Sequence, residues 1–324
     1  MAIRKSQVSI QFSWIFILIA GAIILLFFIG IVYKQKDVSE TRLSATLLKQ
    51  LDPILSGAQL EEQALNEIDI TSPAAMQFVC DGDESFYSIG DARKPTPTKI
   101  VFAPSEIESQ KLITWTQVFN KPFKVANLFY LTSPTVRYIF DDSRQSTDFL
   151  EMIPEEIETI QCDSTCSNIN DEGHDKERLI SFSGNPSIPS NIAGKDVSKV
   201  SISDSTITFY DSDGTSDSSL TIDDSTKLGA IFSEDKETYD CNMNKLLEKY
   251  KLIAAIYAEK ESELSEHFTN DPECSFFYGN NAIGLSDYLQ TCQSIDECNQ
   301  INDFSGQISD DNQRLLQQSC PLIY

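Results

Sequence analysis

An α+β fold behind an N-terminal transmembrane helix is what this sequence predicts, on three observations. Phe12 to Tyr33 (FSWIFILIAGAIILLFFIGIVY) carries no charge, and as a helix it rises about 33 Å, enough to cross a hydrocarbon core. Residues 73–235 consist of short β-branched and aromatic runs parted by Gly, Pro, Asp and Ser, whereas 236–324 keep apolar residues at helical spacing. All eight cysteines follow the apolar run.

Arg4-Lys5-Ser6 precedes that run, followed by Gln7-Val8-Ser9-Ile10-Gln11-Phe12. A cleaved secretory signal has a basic start, a shorter apolar core and a small-residue cleavage site. Here the core is longer, and Tyr33-Lys34-Gln35-Lys36 follows it. Basic residues, then Gln-x-Ser-x-Gln, then directly the hydrophobic helix: this order resembles the class III signal peptide of archaeal type IV pilin-like proteins. Gln7, Ser9, Gln11 and Phe12 carry the motif, and the resemblance ends with the helix. It implies a leader at 1–6, cut between Ser6 and Gln7 by a prepilin peptidase on the cytoplasmic side. It also implies a helix at 7–36 that anchors the protein in the lipid bilayer or joins other pilin-like subunits. Ser6 stands where the family has Gly. Gln11 stands where it has a Glu that pairs with a neighbouring subunit's amine, which implies a minor or non-polymerising member. An ordinary signal anchor is the competing reading of the same residues.

Charge and cysteine usage bound the compartment. The net charge is −24, from 49 acidic and 25 basic residues, and such a surface repels phosphate backbones, so no nucleic-acid partner is expected. A hydrophobic content of 41% supports a packed core. Lys34, Lys36, Arg42 and Lys49 after the span outnumber Arg4 and Lys5 before it, which pulls the C-terminal part towards the cytoplasm. An even number of cysteines confined to one side argues for an oxidising space instead, and long domains translocate with little regard to charge. The expected topology has the N-terminus inside and the domain outside.

Residues 37–72 are expected to form a helical stalk. Val38 to Leu51 places Leu43, Leu47 and Leu51 on one face, with Leu48 beside them, and Pro53 ends or kinks the helix. Leu55 to Ile70 reads as a second helical segment and Ser72-Pro73 as its boundary. Met76–Cys80 is then a strand, turned at Asp81-Gly82-Asp83 and returning as Phe86–Ile89. Arg93–Thr98 is a proline-broken loop, Lys99–Ala103 a strand, and Glu106–Phe119 a helix carrying Trp115. Lys124–Leu131, Thr135–Phe140, Glu158–Cys162, Leu179–Phe182, Val200–Ile202, Ile207–Tyr210 and Ser218–Ile222 are strands, with a short helix at Thr147–Ile153 stopped by Pro154. In the last third Asp240 is the expected N-cap of a long helix bearing Met243, Leu246, Leu247 and Tyr250. Leu285–Ile301 and Asp310–Gln318 follow as helices.

The candidate chemistry is sparse. Cys80, Cys162, Cys166, Cys241, Cys274, Cys292, Cys298 and Cys320 lack paired zinc-site spacing and read as a disulfide framework. Cys162 and Cys166 flank Asp-Ser-Thr and suit a small closed loop. On one continuous helix Cys292 and Cys298 stand about 9 Å apart along the axis, beyond the roughly 7 Å limit for a bridge, so partners among Cys274, Cys241 and Cys320 are expected. Asp211, Asp213 and Asp217 surround Gly214 as a weak cation candidate, but Phe209 stands where a calcium loop needs its first carboxylate, and a hairpin turn is the plainer reading. His174 in a polar loop reads as solvated, and His267 at a helix end as a favourable contact with the helix dipole. No nucleophile elbow, P-loop or His-Glu-x-x-His occurs, so no catalytic residue and no cofactor is predicted. The expected role is a structural or interaction component of an archaeal cell envelope. A membrane-anchored binding protein or sensor is the alternative, and an exported enzyme stands behind both.

Overall fold

The computed structural model describes residues 4–58, 61–82, 84–163, 165–170, 172–211 and 213–324, with no side chain described at 4–16, 32–43, 55, 58 or 71–74. Ser6, Gln7, Ser9, Gln11 and Phe12 of the pilin-like motif, and Leu43 of the stalk, fall outside the described side chains.

Helix α1 runs Arg4–Ala58. Every large apolar side chain described between Ile17 and Ile31 is exposed, from 39% to 71%. The described side chains of the predicted span cover 17–31, about 22 Å of helix. Among the described residues no helix is long and apolar enough to cross a membrane. Further along, α1 buries Leu47, Leu48 and Leu51. Pro53 does not stop it. That proline is exposed in the last turns, and the carbonyl deprived of its bond belongs to exposed Lys49, where water replaces it.

The predicted second stalk helix is a strand. Only its first residues belong to α1, and β1 (Leu65–Asp81) begins inside it. Glu67 and Asp69 are exposed while Ile68 and Ile70 are buried, the two-residue period of a half-covered strand. Ser72-Pro73 lies within β1 rather than bounding it. Pairing slips there, from Asp69 opposite Lys111 to Ala74 opposite Ser109, where proline has no N–H for the ladder.

Strand β1 joins β2 (Glu84–Ile89), β3 (Ala92–Pro95), β4 (Val101–Phe102), β5 (Glu106–Asn120) and β6 (Lys124–Thr132) in one sheet, ordered β3-β2-β1-β5-β6-β4. All neighbours are antiparallel except β4 and β6. The proline-bearing loop at Arg93–Thr98 therefore contributes an edge strand, β3, where a missing donor is tolerated as it is at the slip in β1. Strand β5 corrects the expected helix at Glu106–Phe119. It is covered on both faces: Leu112 packs with Leu48 and Leu51 of α1, while Ile113 and Trp115 face the larger core. Thr114 and Thr116 are buried too, so from Leu112 to Thr116 the strand presents an unbroken buried run instead of an alternation.

The second sheet contains β7 (Val136–Phe140), β8 (Thr159–Gln161), β9 (Lys176–Ser181), β10 (Asp196–Ile202), β11 (Thr206–Tyr210) and β12 (Ser216–Leu220), ordered β12-β11-β10-β9-β7-β8. Its β8-β7-β9-β10 half is parallel and its β10-β11-β12 half antiparallel. Helix α2 (Arg144–Met152) connects β7 to β8, with Ser143 Oγ accepting the N–H of Ser146 at its start.

Helix α3 (Asp224–Phe232), absent from the predicted elements, joins the two sheets. The Phe232 ring lies tilted 6.2 Å from Trp115 and 5.2 Å from Tyr130 in the first sheet, and 4.9 Å from Tyr138 in the second. A Cβ on Gly229 would stand 2.9 Å from the Phe102 ring, so only glycine permits this approach.

Helix α4 (Lys236–His267) is capped by Asp235, whose carboxylate accepts the N–H of Thr238, and not by Asp240, which lies a turn inside. Its Tyr250 meets Phe119 and Phe123 edge-on at 5.6 and 6.0 Å, so the helical third shares one core with the sheets. Short α5 (Pro272–Ser275), α6 (Asn281–Thr291) and α7 (Ile301–Gln317) follow. The expected helix at Leu285–Ile301 breaks at Cys292, which is extended, and the expected short helix at Asp310–Gln318 is the second half of α7.

Candidate functional site

All eight cysteines pair, as Cys80–Cys241, Cys162–Cys166, Cys274–Cys320 and Cys292–Cys298. The small loop expected at Cys162 and Cys166 is present. Cys292 and Cys298 bridge each other, against expectation, because α6 ends before them and brings their Cα atoms to 5.8 Å. Cys80–Cys241 links β1 to α4 across 161 residues.

Two places stand out. The first is the docking of α1. Leu47, Leu48 and Leu51 pack against Met76, Phe78 and Tyr87 of the first sheet. Asp52 completes the contact, 3.0 Å from Lys94 Nζ and 3.6 Å from Lys99 Nζ, and accepts from the Tyr87 hydroxyl at 3.5 Å. The hydrogen bond from Lys94 holds the Asp52 carboxyl below its ordinary range, against a smaller opposing effect of burial. At Gly90 the β2–β3 turn comes so close that a Cβ would meet Ser44 Oγ at 3.4 Å.

The second is a cleft of about 880 Å³ between α4 and the β1–β2 end of the first sheet, with the Cys80–Cys241 bridge in its wall. That volume suits a small molecule or a peptide side chain. Lys245 and Lys249, one turn apart on α4, line it. Among the described residues Lys245 Nζ donates only to neutral oxygens, Ser85 Oγ at 2.5 Å, the Lys99 carbonyl at 3.2 Å and the Thr96 carbonyl at 3.5 Å. Burial, helped by the charge of Lys249, pushes its ammonium down to about 8. Burial also lowers Lys249, which among the described residues has neither ion pair nor hydrogen bond. Acidic groups sit further along the same helix. Glu237 is exposed, and Asp240 pairs with Lys236 and is raised by burial. Glu248 lies between the two lysines in the cleft wall but pairs with Lys251 at 2.7 Å. The cleft thus offers two cations without an ion-pair partner among the described residues, with Leu252 as an apolar patch.

The aspartates singled out as a cation candidate form a hairpin turn. Asp211 and Asp213 both accept the Thr215 hydroxyl, at 3.0 and 2.7 Å, and Asp217 has moved into β12 opposite Phe209. Among the described residues, three metal-type ligands converge elsewhere: Glu158, Glu172 and His174 place one ligand atom each within 4.8 Å of one another. His174 is half-buried rather than fully solvated. Neither the cleft lysines nor this triple has a sequence signature. The lysines look like ordinary helix surface until β2 folds over them, and Glu158 joins the other two only through strand pairing.

No known family model, curated protein sequence or solved structure matches the chain.

Proposed function

We propose that the chain is a single-pass, membrane-anchored extracytoplasmic protein that acts as a pilin-like or pseudopilin-like structural component of an archaeal cell envelope. One observation carries the reading. The helix that buries Leu47, Leu48 and Leu51 on the first sheet also exposes an unbroken apolar surface from Ile17 to Ile31. A surface of that kind needs lipid or the helices of other subunits to cover it. A membrane helix that runs on into a globular domain is how pilin-like proteins begin, and it adds to the resemblance at Gln7, Ser9, Gln11 and Phe12. The fully paired cysteines agree with a domain outside the cytoplasm. The test is mass spectrometry of the N-terminal peptide from protein isolated out of native membranes. A start at Gln7 is expected, and a start at Met1 or Ala2 would remove the prepilin pathway.

The cleft favours a second reading, a membrane-anchored binding protein. Two desolvated lysines without carboxylate partners cost stability, and an anionic group of a ligand offsets that cost. An intact leader, together with a small anion co-purifying with wild-type protein but not with Lys245→Gln/Lys249→Gln, would favour this reading over the first.

A further inference from the structure

We propose that Glu158, Glu172 and His174 form a binding site for a divalent transition-metal cation at the β8-β7-β9 edge of the second sheet. The inference is independent of how the chain is anchored. Glu158 lies just before β8, and Glu172 and His174 lie in the loop leading into β9. Strand β7 runs between β8 and β9 and holds both approaches: Tyr138 N donates to the Glu158 carbonyl at 2.9 Å, and Asp175 N donates to the Thr135 carbonyl at 2.9 Å. One ring nitrogen and two carboxylates thereby stand within 4.8 Å of one another. Metal bonds of about 2.0–2.2 Å draw such atoms to about 3 Å, a closure that the exposed Glu158 and Glu172 side chains accommodate by changing rotamer.

Two observations beyond proximity point to a cation. The His174 Nδ1 is shielded from solvent and has no hydrogen-bond partner among the described residues, an uncompensated polar atom of the kind folded proteins avoid. The local charge is also unbalanced. Arg137 is buried and spends its charge on Glu177, in a two-pronged pair at 2.9 Å, while its Nη1 lies 3.4 Å from Glu172. Lys195 Nζ donates to the His174 carbonyl at 3.2 Å. Glu158, Glu172 and Glu177 against Arg137 and Lys195 leave the cluster net negative, with two carboxylates facing each other. The Arg137 contact also orients the Glu172 carboxylate, as outer-shell groups do around metal sites. One nitrogen and two oxygen donors suit Zn²⁺ or Mn²⁺, whereas Ca²⁺ and Mg²⁺ take all-oxygen sets.

The test uses the full chain in detergent, stripped with chelator and titrated with Zn²⁺ and with Mn²⁺ by calorimetry. One site per chain is expected. His174→Gln and Glu172→Gln should each weaken it at least tenfold, while Asp211→Asn/Asp213→Asn leaves it unchanged. The sequence has two histidines, so the unmodified protein gives a second readout. Mn²⁺ should broaden the imidazole proton signals of His174 at stoichiometric addition and spare those of His267. Absence of stoichiometric binding, equal broadening of both histidines, or loss of binding in the Asp211/Asp213 variant would each overturn the site.

Discussion

The Asp52 carboxylate lies 3.0 Å from the Lys94 ammonium, so the end of the long N-terminal helix is tied by charge to the edge strand of the first sheet. The pair is half-exposed and contributes at most about 1 kcal/mol; the adjoining leucines do more. Leu51→Ala should destabilise the domain by about 2–5 kcal/mol and Asp52→Asn by much less, as measured by denaturant unfolding. The folded Asp52 carboxyl titrates below its ordinary value, so its contribution is present above the unfolded-state pKa near 3.8 and lost as pH falls through the depressed folded value. Equal losses for the two variants would mean that the helix is not docked by its apolar face.

Cys80–Cys241 closes 161 residues and Cys162–Cys166 only four. Loop-closure entropy then assigns the first bridge about 5 kcal/mol and the second about 2 kcal/mol. Cys80→Ser/Cys241→Ser should lower the denaturation midpoint far more than Cys162→Ser/Cys166→Ser. Non-reducing peptide mapping should also recover Cys292 linked to Cys298; a link from either to Cys274 or Cys320 would contradict the break after α6.

Lys245 should titrate near 8 instead of its ordinary 10.5. Between those values the unfolded state holds the proton and the folded state has released it, so stability rises with pH. Below about 8 both states are charged and the full cost of desolvating the ammonium is present. Wild-type stability relative to Lys245→Gln should therefore improve from pH 8 to 10.5. A lysine side-chain NMR titration with a midpoint at 10.5 would refute the buried environment.

Glu261 of α4 accepts the N–H groups of Ala282 and Ile283 at 2.9 and 3.1 Å, which caps α6 from a neighbouring helix. Asn280 supplies no side-chain cap there. Glu261→Ala should cost about 1–3 kcal/mol by stranding these donors, and Glu261→Gln less. Burial raises the Glu261 carboxyl above 4.5, so the folded state holds the proton longer. Relative to Glu261→Gln, wild-type stability should fall as pH rises from 4.5 through the raised value. A gain over that window, in paired thermal melts, would reverse the sign.

Much of the fold was legible where one local pattern sufficed. The Met76–Cys80 and Phe86–Ile89 hairpin around Gly82 follows from alternation and a turn glycine, and α2 from its position before Pro154. Strand β5 was not legible, because a strand buried on both faces loses the alternation that distinguishes it. The start of α4 was misplaced because Asp235 and Asp240 are equally good caps in isolation, and only packing selects between them. Of the candidate site, the Cys162–Cys166 loop was visible, and the cleft lysines and the Glu158, Glu172 and His174 triple were not.

The sequence by itself determined the long apolar run, the acidic balance, the tight turns and the disulfide-rich character of the domain. These depend on composition and on neighbours a few residues apart. Only the tertiary structure decided how the other six cysteines pair, what covers the leucine face of α1, and that Glu158 meets His174 across β7. Such relations depend on distances between residues far apart in the chain, which strand order and helix termination set and no local spacing encodes.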